Sequence, residues 1–163
     1  MIFRNLYSSL SNIEKLVRVY IFKENVGFVN GFGGTKINGT YSVGNHISIT
    51  TAYLSGSGGY WWILRLDANF YQLYKGLGYK LYIDYVENSN QKPSCMSFSS
   101  TQTSYDYNGQ PVASFNQASG GERVVSSVSI DSLLTDSSKP CLLLRNNPGS
   151  NITAYIYNVW LSL

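Results

Sequence analysis

Hydrophobic and polar residues alternate in short segments along most of the chain. In "HISITTAYL" (46–54), Ile47 and Ile49 alternate with Ser48 and Thr50, and "GYKLYIDYVE" (78–87) repeats the pattern. This period of two predicts strands with one buried face. The predicted strands are residues 17–23, 46–54, 60–67, 78–87, 94–103, 122–130, 140–147 and 152–163. Asn-Gly, Gly-Gly and Pro-Gly turns separate them, so the pattern indicates an all-β antiparallel sandwich or barrel.

The N-terminal region is open to two interpretations. Ser11 and Glu14 have the spacing of a helix capping box, whereas Val17, Val19 and Ile21 alternate as in a strand. We expect a short arm or helix over residues 1–18, followed by one domain over 19–163. Residues 104–121 form the longest loop-like segment, and long loops are often functional.

Three consecutive aromatic residues begin the strand "YWWILRLD" (60–67). Neighbouring side chains of a strand point to opposite faces. The alternation places Trp62 in the core and Trp61 on the other face, beside Arg65 and Asp67. That second face is expected to be partly hydrated, and Trp61 is the ring that a ligand or another layer would cover.

The closing strand (152–163) requires a bulge. Ile156 and Val159 have opposite parity on a regular strand, and an extra residue between them lets both point inward together with Leu161. Three aromatic side chains then point outward, namely Tyr155, Tyr157 and Trp160.

The composition narrows the range of possible functions. Charged residues make up 13% of the 163 residues and tyrosine contributes 14, so hydroxyl and amide groups dominate the polar surface. The net charge of +3 is spread thinly, unlike the concentrated basic patch typical of nucleic-acid binding. No apolar run is long enough to span a membrane and no secretory signal is visible. Cys95 and Cys141 lie in apolar segments and are expected to be buried free thiols.

Catalytic motifs are scarce. His46 is the one histidine and has no metal-ligand spacing around it, so we expect neither a metal nor a cofactor. Asp67 and Asp84 could flank a glycosidic bond as a carboxylate pair, which leaves a polysaccharide-degrading enzyme as a minor alternative. A non-enzymatic protein is the main expectation.

Exposed aromatic rings beside amides suit carbohydrate, because the apolar face of a pyranose stacks on a ring while its hydroxyls need polar partners. Tyr71, Tyr74, Tyr105 and Tyr107 are predicted in loops, where exposure is the default. The candidate ligand-binding residues are Trp61, Tyr71, Tyr74, Tyr82, Tyr105, Tyr107 and Asp84. Tyrosine and tryptophan also dominate protein interfaces, so a protein partner is the competing interpretation.

Three segments resemble jelly-roll carbohydrate-binding modules: "TYSVGNHISIT" (40–50), "GLGYKLYIDYVE" (76–87) and "LLLRNNPGSNITAYIYNVWLSL" (142–163). "VYIFKENVGFVNGFGG" (19–34) is similar to the opening of small jelly rolls in bacteriophage structural modules. The resemblance implies a jelly roll in a multimeric phage virion, contacting virion proteins and host-surface glycans. A purely structural head or tail subunit is the alternative. Tyr157 stands where the family usually has an aspartate near calcium, so metal binding by that strand is not expected.

Overall fold

Two antiparallel sheets pack face to face in a computed structural model that describes residues 18–105, 110–118 and 120–163. One sheet has seven strands in the order β11-β8-β13-β1-β2, with β5 on β13 and β4 on β5. The other has six in the order β10-β9-β12-β7-β3, with β6 on β7. The strands are β1 (Val19–Lys23), β2 (Gly27–Phe28), β3 (Gly33–Asn38), β4 (Thr40–Val43), β5 (Ile47–Thr50), β6 (Ala52–Leu54), β7 (Gly59–Asp67), β8 (Lys80–Glu87), β9 (Ser94–Phe98), β10 (Val112–Ser114), β11 (Val124–Ser129), β12 (Cys141–Asn146) and β13 (Thr153–Ser162). This all-β jelly-roll sandwich confirms the predicted fold class.

The main core lies between the sheets, where the alternation of the strands predicts it. Trp62 and Leu64 point inward from β7, and Leu81 and Ile83 point inward from β8. All four are at most 2% exposed. Burial of such side chains stabilises the fold by roughly 1.5–3 kcal/mol each.

The predicted bulge in the closing strand is present. The pairing of β13 with β8 shifts register between Ile156 and Asn158, and Ile156, Val159 and Leu161 are all buried. The first half of β13 pairs with β5 and the second half with β1, so the bulge falls where the neighbouring strand changes.

The outer face of the six-stranded sheet is more deeply buried than predicted. Ile63 is fully buried and Arg65 is 7% exposed, although this face was expected to be partly hydrated. Ile63 belongs to a second, smaller core with Met96, Phe98 and Leu143. The predicted strand 94–103 ends at Phe98, and the loop that follows covers this face.

A short helix that the sequence did not reveal, α1 (Phe70–Tyr74), follows β7. The Asn69 side chain caps it by accepting a hydrogen bond from the Gln72 backbone N–H at 2.9 Å. Phe70 is buried in the main core, which holds the helix against the sandwich. The predicted arm lies outside the described residues, except for Arg18.

The two cysteines are free and buried, as predicted. Cys95 faces the main core, whereas Cys141 lies opposite Phe98 in the pairing of β12 with β9 and shares the other face of the sheet. Their positions on opposite faces of the same sheet prevent a disulfide.

None of the helices among the described residues is both long and apolar enough to cross a bilayer.

Candidate functional site

Three aromatic side chains form a row across the outer face of the seven-stranded sheet. Tyr82 of β8 lies opposite Trp160 of β13, which lies opposite Tyr20 of β1. The rings of Tyr82 and Trp160 stack at 5.1 Å with an interplanar angle of 9°, and those of Tyr20 and Trp160 are 6.1 Å apart. Two strand spacings make this aromatic row roughly 10 Å long.

The middle ring of the aromatic row is covered. Trp160 is 5% exposed, with Tyr82 against it and the guanidinium of Arg18 4.9 Å from its ring centre. Tyr82 and Tyr20 are half-buried and retain exposed surface. Trp160 therefore supports the two tyrosines, and they are the rings that a ligand can reach.

Charged and amide groups form a cluster beside the aromatic row. Arg123 donates from Nε and Nη2 to the Asp84 carboxylate at 2.6 and 2.7 Å. Arg123 Nη2 also donates to Glu24 at 2.8 Å, and Asn158 Nδ2 donates to Asp84 at 2.8 Å. We call Glu24, Asp84, Arg123 and Asn158 the polar cluster. Burial raises the pKa of Asp84, but the hydrogen bonds from Arg123 and Asn158 and the charge of Arg123 together leave it below its usual value.

Next to the polar cluster, the guanidinium of Arg123 lies 4.1 Å from the ring centre of Tyr157. His46 contacts Tyr157 and the 38%-exposed Tyr155, at 5.4 and 5.3 Å between ring centres. Aromatic and polar groups thus extend over much of this sheet face.

Trp61 lies on the outer face of the six-stranded sheet, on the other side of the sandwich. Its half-buried ring is 5.7 Å from that of Tyr105 and 5.2 Å from the Arg145 guanidinium. Burial lowers the pKa of Arg145 to about 10. Trp61 Nε1 is buried and has no hydrogen-bond acceptor among the described residues. The chain itself therefore covers Trp61, the ring that the alternation predicts to be open to a ligand or another layer.

Two of the predicted loop tyrosines are not in loops. Tyr71 and Tyr74 lie on α1, half-buried and packed against the main core. The reason is local, since the Asn69 cap and the burial of Phe70 make this segment helical. Tyr107 lies outside the described residues.

The structure separates the two acids considered for catalysis. Asp67 ends β7 in the six-stranded sheet and is paired with Arg65 at 2.5 Å, whereas Asp84 is paired with Arg123 on the other sheet. They cannot flank one glycosidic bond, so this pairing was wrong. No group of three or more His, Cys, Asp or Glu side chains within residues 18–105, 110–118 and 120–163 is placed to hold a metal.

A shallow pocket of about 290 Å³ opens beside Asp67. It is lined by Arg65, Asp67, Ala68, Asn69, Ser100, Pro140 and Cys141. Arg65 already donates to Asp67 and to the Gln102 carbonyl oxygen, at 2.5 and 2.6 Å, and the described residues that line the pocket include no aromatic ring.

The structure therefore unites two predicted residues, Tyr82 and Asp84, in one site. Four further residues of this site were not among the predicted ligand-binding residues: Tyr20, Trp160, Arg123 and Asn158. The outward direction of Trp160 followed from the predicted bulge, but its contact with Tyr82 depends on strand order. Arg123 precedes β11 and is 39 positions from Asp84, so no local pattern connects them.

The fold is similar to that of carbohydrate-binding modules of family 29. A structure of CBM29_1 from Piromyces equi has a TM-score of 0.58 and 13% identity, covering 90% of this chain and 91% of that one. A point mutant of CBM29-2, made to probe ligand recognition, has a TM-score of 0.56 and 17% identity, with coverage of 90% and 91%. Another CBM29-2 mutant, complexed with mannohexaose, has a TM-score of 0.55 and 17% identity, with coverage of 90% of both chains. No protein-family model matches the chain, and no curated protein sequence matches it.

Proposed function

We propose that the chain is a non-catalytic carbohydrate-binding domain whose ligand lies across the aromatic row. The observation that carries the proposal is the juxtaposition of Tyr82 and Tyr20 with the polar cluster on one sheet face. We treat residues 19–163 as one domain, because the main core joins residues from Ile21 to Leu161.

The chemistry of this face suits a sugar. The rings offer apolar surface to the C–H face of a pyranose with little loss of side-chain freedom. Arg123 and Glu24, whose side chains are 43% and 32% exposed, lie on the same side of the row and can hydrogen-bond sugar hydroxyls. The similarity in fold to modules of family 29, one of them complexed with mannohexaose, agrees with this assignment.

The test measures binding of soluble polysaccharides by affinity electrophoresis and calorimetry. We expect Tyr82→Ala to weaken binding by about tenfold, equivalent to about 1.4 kcal/mol. Tyr53→Ala is the matched control, because Tyr53 is 57% exposed on β6, which belongs to the other sheet. Melting temperatures of both variants establish that they fold. Equal binding by Tyr82→Ala and wild type, or no binding of any glycan by wild type, contradicts the proposal.

We further propose that this domain belongs to a phage particle and holds it near glycans on the host surface. The similarity of residues 19–34 to openings of phage jelly rolls supports this context. Immunogold labelling of purified particles with an antibody against this chain tests it. We expect gold label on the phage particles. Particles that carry no label contradict the proposal.

A structural subunit that binds protein neighbours is the second candidate. Tyr53 and Tyr60 favour it, because they are 57% and 40% exposed and their rings contact each other at 5.3 Å. Exposed tyrosines of this kind act as anchors in interfaces. Under this alternative, Tyr53→Ala reduces the oligomer measured by light scattering, whereas Tyr82→Ala leaves it unchanged. A wild type that is monomeric, or an oligomer that neither substitution reduces, contradicts this candidate.

A further inference from the structure

Cations flank the aromatic row without being paired to carboxylates. The ammonium group of Lys23 lies 5.5 Å from the ring centre of Tyr20, and Arg18 lies over Trp160. Lys80 is exposed on β8 and points to the same face as Tyr82. Within the described part of the chain, none of these three cations belongs to an ion pair.

The charges are arranged asymmetrically about the aromatic row. Lys80 and Asp84 lie on either side of Tyr82, each roughly 7 Å along the strand from it. Asp84 and Glu24 share the single positive charge of Arg123, and Lys23 adds a second cation beside Tyr20, whereas Arg18 and Lys80 are not paired with a carboxylate of the described residues. One side of the row is therefore basic, and the other is polar and nearly balanced.

Arg18 is placed to bind an anion from its position over Trp160. Its guanidinium carbon lies 4.9 Å from the ring centre of Trp160, and the planar fork of a guanidinium matches both oxygens of a carboxylate. Arg18 is exposed and is in no ion pair among the described residues. A carboxylate carried by a sugar on Tyr82 or Tyr20 lies within reach of this group.

We propose that the aromatic row selects acidic polysaccharide, namely pyranose chains that carry uronic-acid carboxylates. Tyr82 and Tyr20 contact the ring faces, Arg18 and Lys80 bind the carboxylates, and the polar cluster binds hydroxyls. The inference rests on the proposed carbohydrate function and adds the charge class of the ligand.

Single-stranded nucleic acid is the competing anionic ligand, because it also combines stacking with cations. The uronate is favoured because nucleic-acid sites have a more concentrated positive charge than the separate cations Arg18, Lys23 and Lys80 provide.

The test compares two forms of one polymer. Polygalacturonate and its fully methyl-esterified form share a backbone but differ in charge, and calorimetry measures the affinity of each. We expect polygalacturonate to bind about tenfold more tightly, with the difference decreasing as salt is added. A neutral glycan panel and an oligothymidylate are measured in parallel.

The double variant Arg18→Gln/Lys80→Gln is expected to lose about tenfold in affinity for polygalacturonate and little for the methyl ester. Lys36→Gln/Lys92→Gln is the matched control, since it removes the same charge at exposed positions on β3 and in the loop before β9. Both variants are expected to melt at the wild-type temperature.

The outcomes separate the two proposals. Equal binding of both polymer forms, or an unaffected double variant, overturns the acidic-glycan inference while carbohydrate binding stands. Tighter binding of oligothymidylate than of polygalacturonate also overturns the inference. Failure of wild type to bind either polymer or any neutral glycan removes the proposed function itself.

Discussion

Glu87 links the two sheets inside the core, and its replacement tests how the sandwich is held together. Its carboxylate accepts hydrogen bonds from Trp62 Nε1 at 2.5 Å, Asn146 Nδ2 at 2.5 Å and Ser89 Oγ at 2.8 Å. Glu87 is on β8, whereas Trp62 and Asn146 are on the strands of the six-stranded sheet. Glu87, Trp62 and Asn146 are at most 3% exposed.

Glu87→Ala leaves the N–H groups of Trp62 and Asn146 buried without an acceptor. Each such loss costs about 1–3 kcal/mol, so we expect the free energy of unfolding to fall by about 2–6 kcal/mol. Ser89 lies nearer the surface and can donate to water instead. For a chain of this size the melting temperature falls by roughly 2–4 °C per kcal/mol.

Urea denaturation followed by tryptophan fluorescence measures the change. Glu122→Ala is the control, because Glu122 is an exposed acid in a loop, and its stability should remain within about 0.5 kcal/mol of wild type. A Glu87→Ala variant that loses less than about 1 kcal/mol would refute the view that its buried partners depend on it.

The same residue predicts a pH effect. Burial raises the pKa of Glu87, despite the hydrogen bonds that lower it. The folded state therefore holds this proton more tightly than the unfolded chain does. Protonation of Glu87 therefore stabilises the fold. This stabilisation is complete below the pKa of the unfolded chain, 4.5, and is lost as the pH rises through the pKa of the folded state. Relative to Glu87→Gln, wild type should be more stable at pH 4 than at pH 7, and an unchanged difference contradicts this.

Three further predictions concern other parts of the chain. Gly39 has φ +98° and a Cβ there would collide with a backbone carbonyl, so Gly39→Ala should cost about 1–3 kcal/mol in urea denaturation. Gly44→Ala, in open space, should be neutral; equal effects contradict the steric argument. The lowered pKa of Asp84 means that its stabilisation is present above 3.8 and lost as the pH falls through the folded value. The stability deficit of Asp84→Asn relative to wild type should therefore shrink as the pH falls below 3.8, and a deficit that does not change with pH refutes this. Thiol titration in denaturant without reductant should find both Cys95 and Cys141 free, whereas a lower count indicates a disulfide.

Alternation along single strands was sufficient to predict the inward faces. Trp62 and Leu64 in β7, and Leu81 and Ile83 in β8, are buried where their parity places them. The bulge in β13 was predictable for the same reason, because Ile156 and Val159 had to share a face. Each of these conclusions depends on residues close together in sequence.

Which side chains meet on the outer faces of the two sheets depends on the tertiary structure. Tyr82, Trp160 and Tyr20 form a row only because β8, β13 and β1 are neighbours, and Arg123 reaches Asp84 only because β11 lies beside β8. A loop covers the second face of β7, which turned an expected hydrated surface into a small core. Local alternation determines which way a side chain points, but strand order and loop packing determine what it meets there.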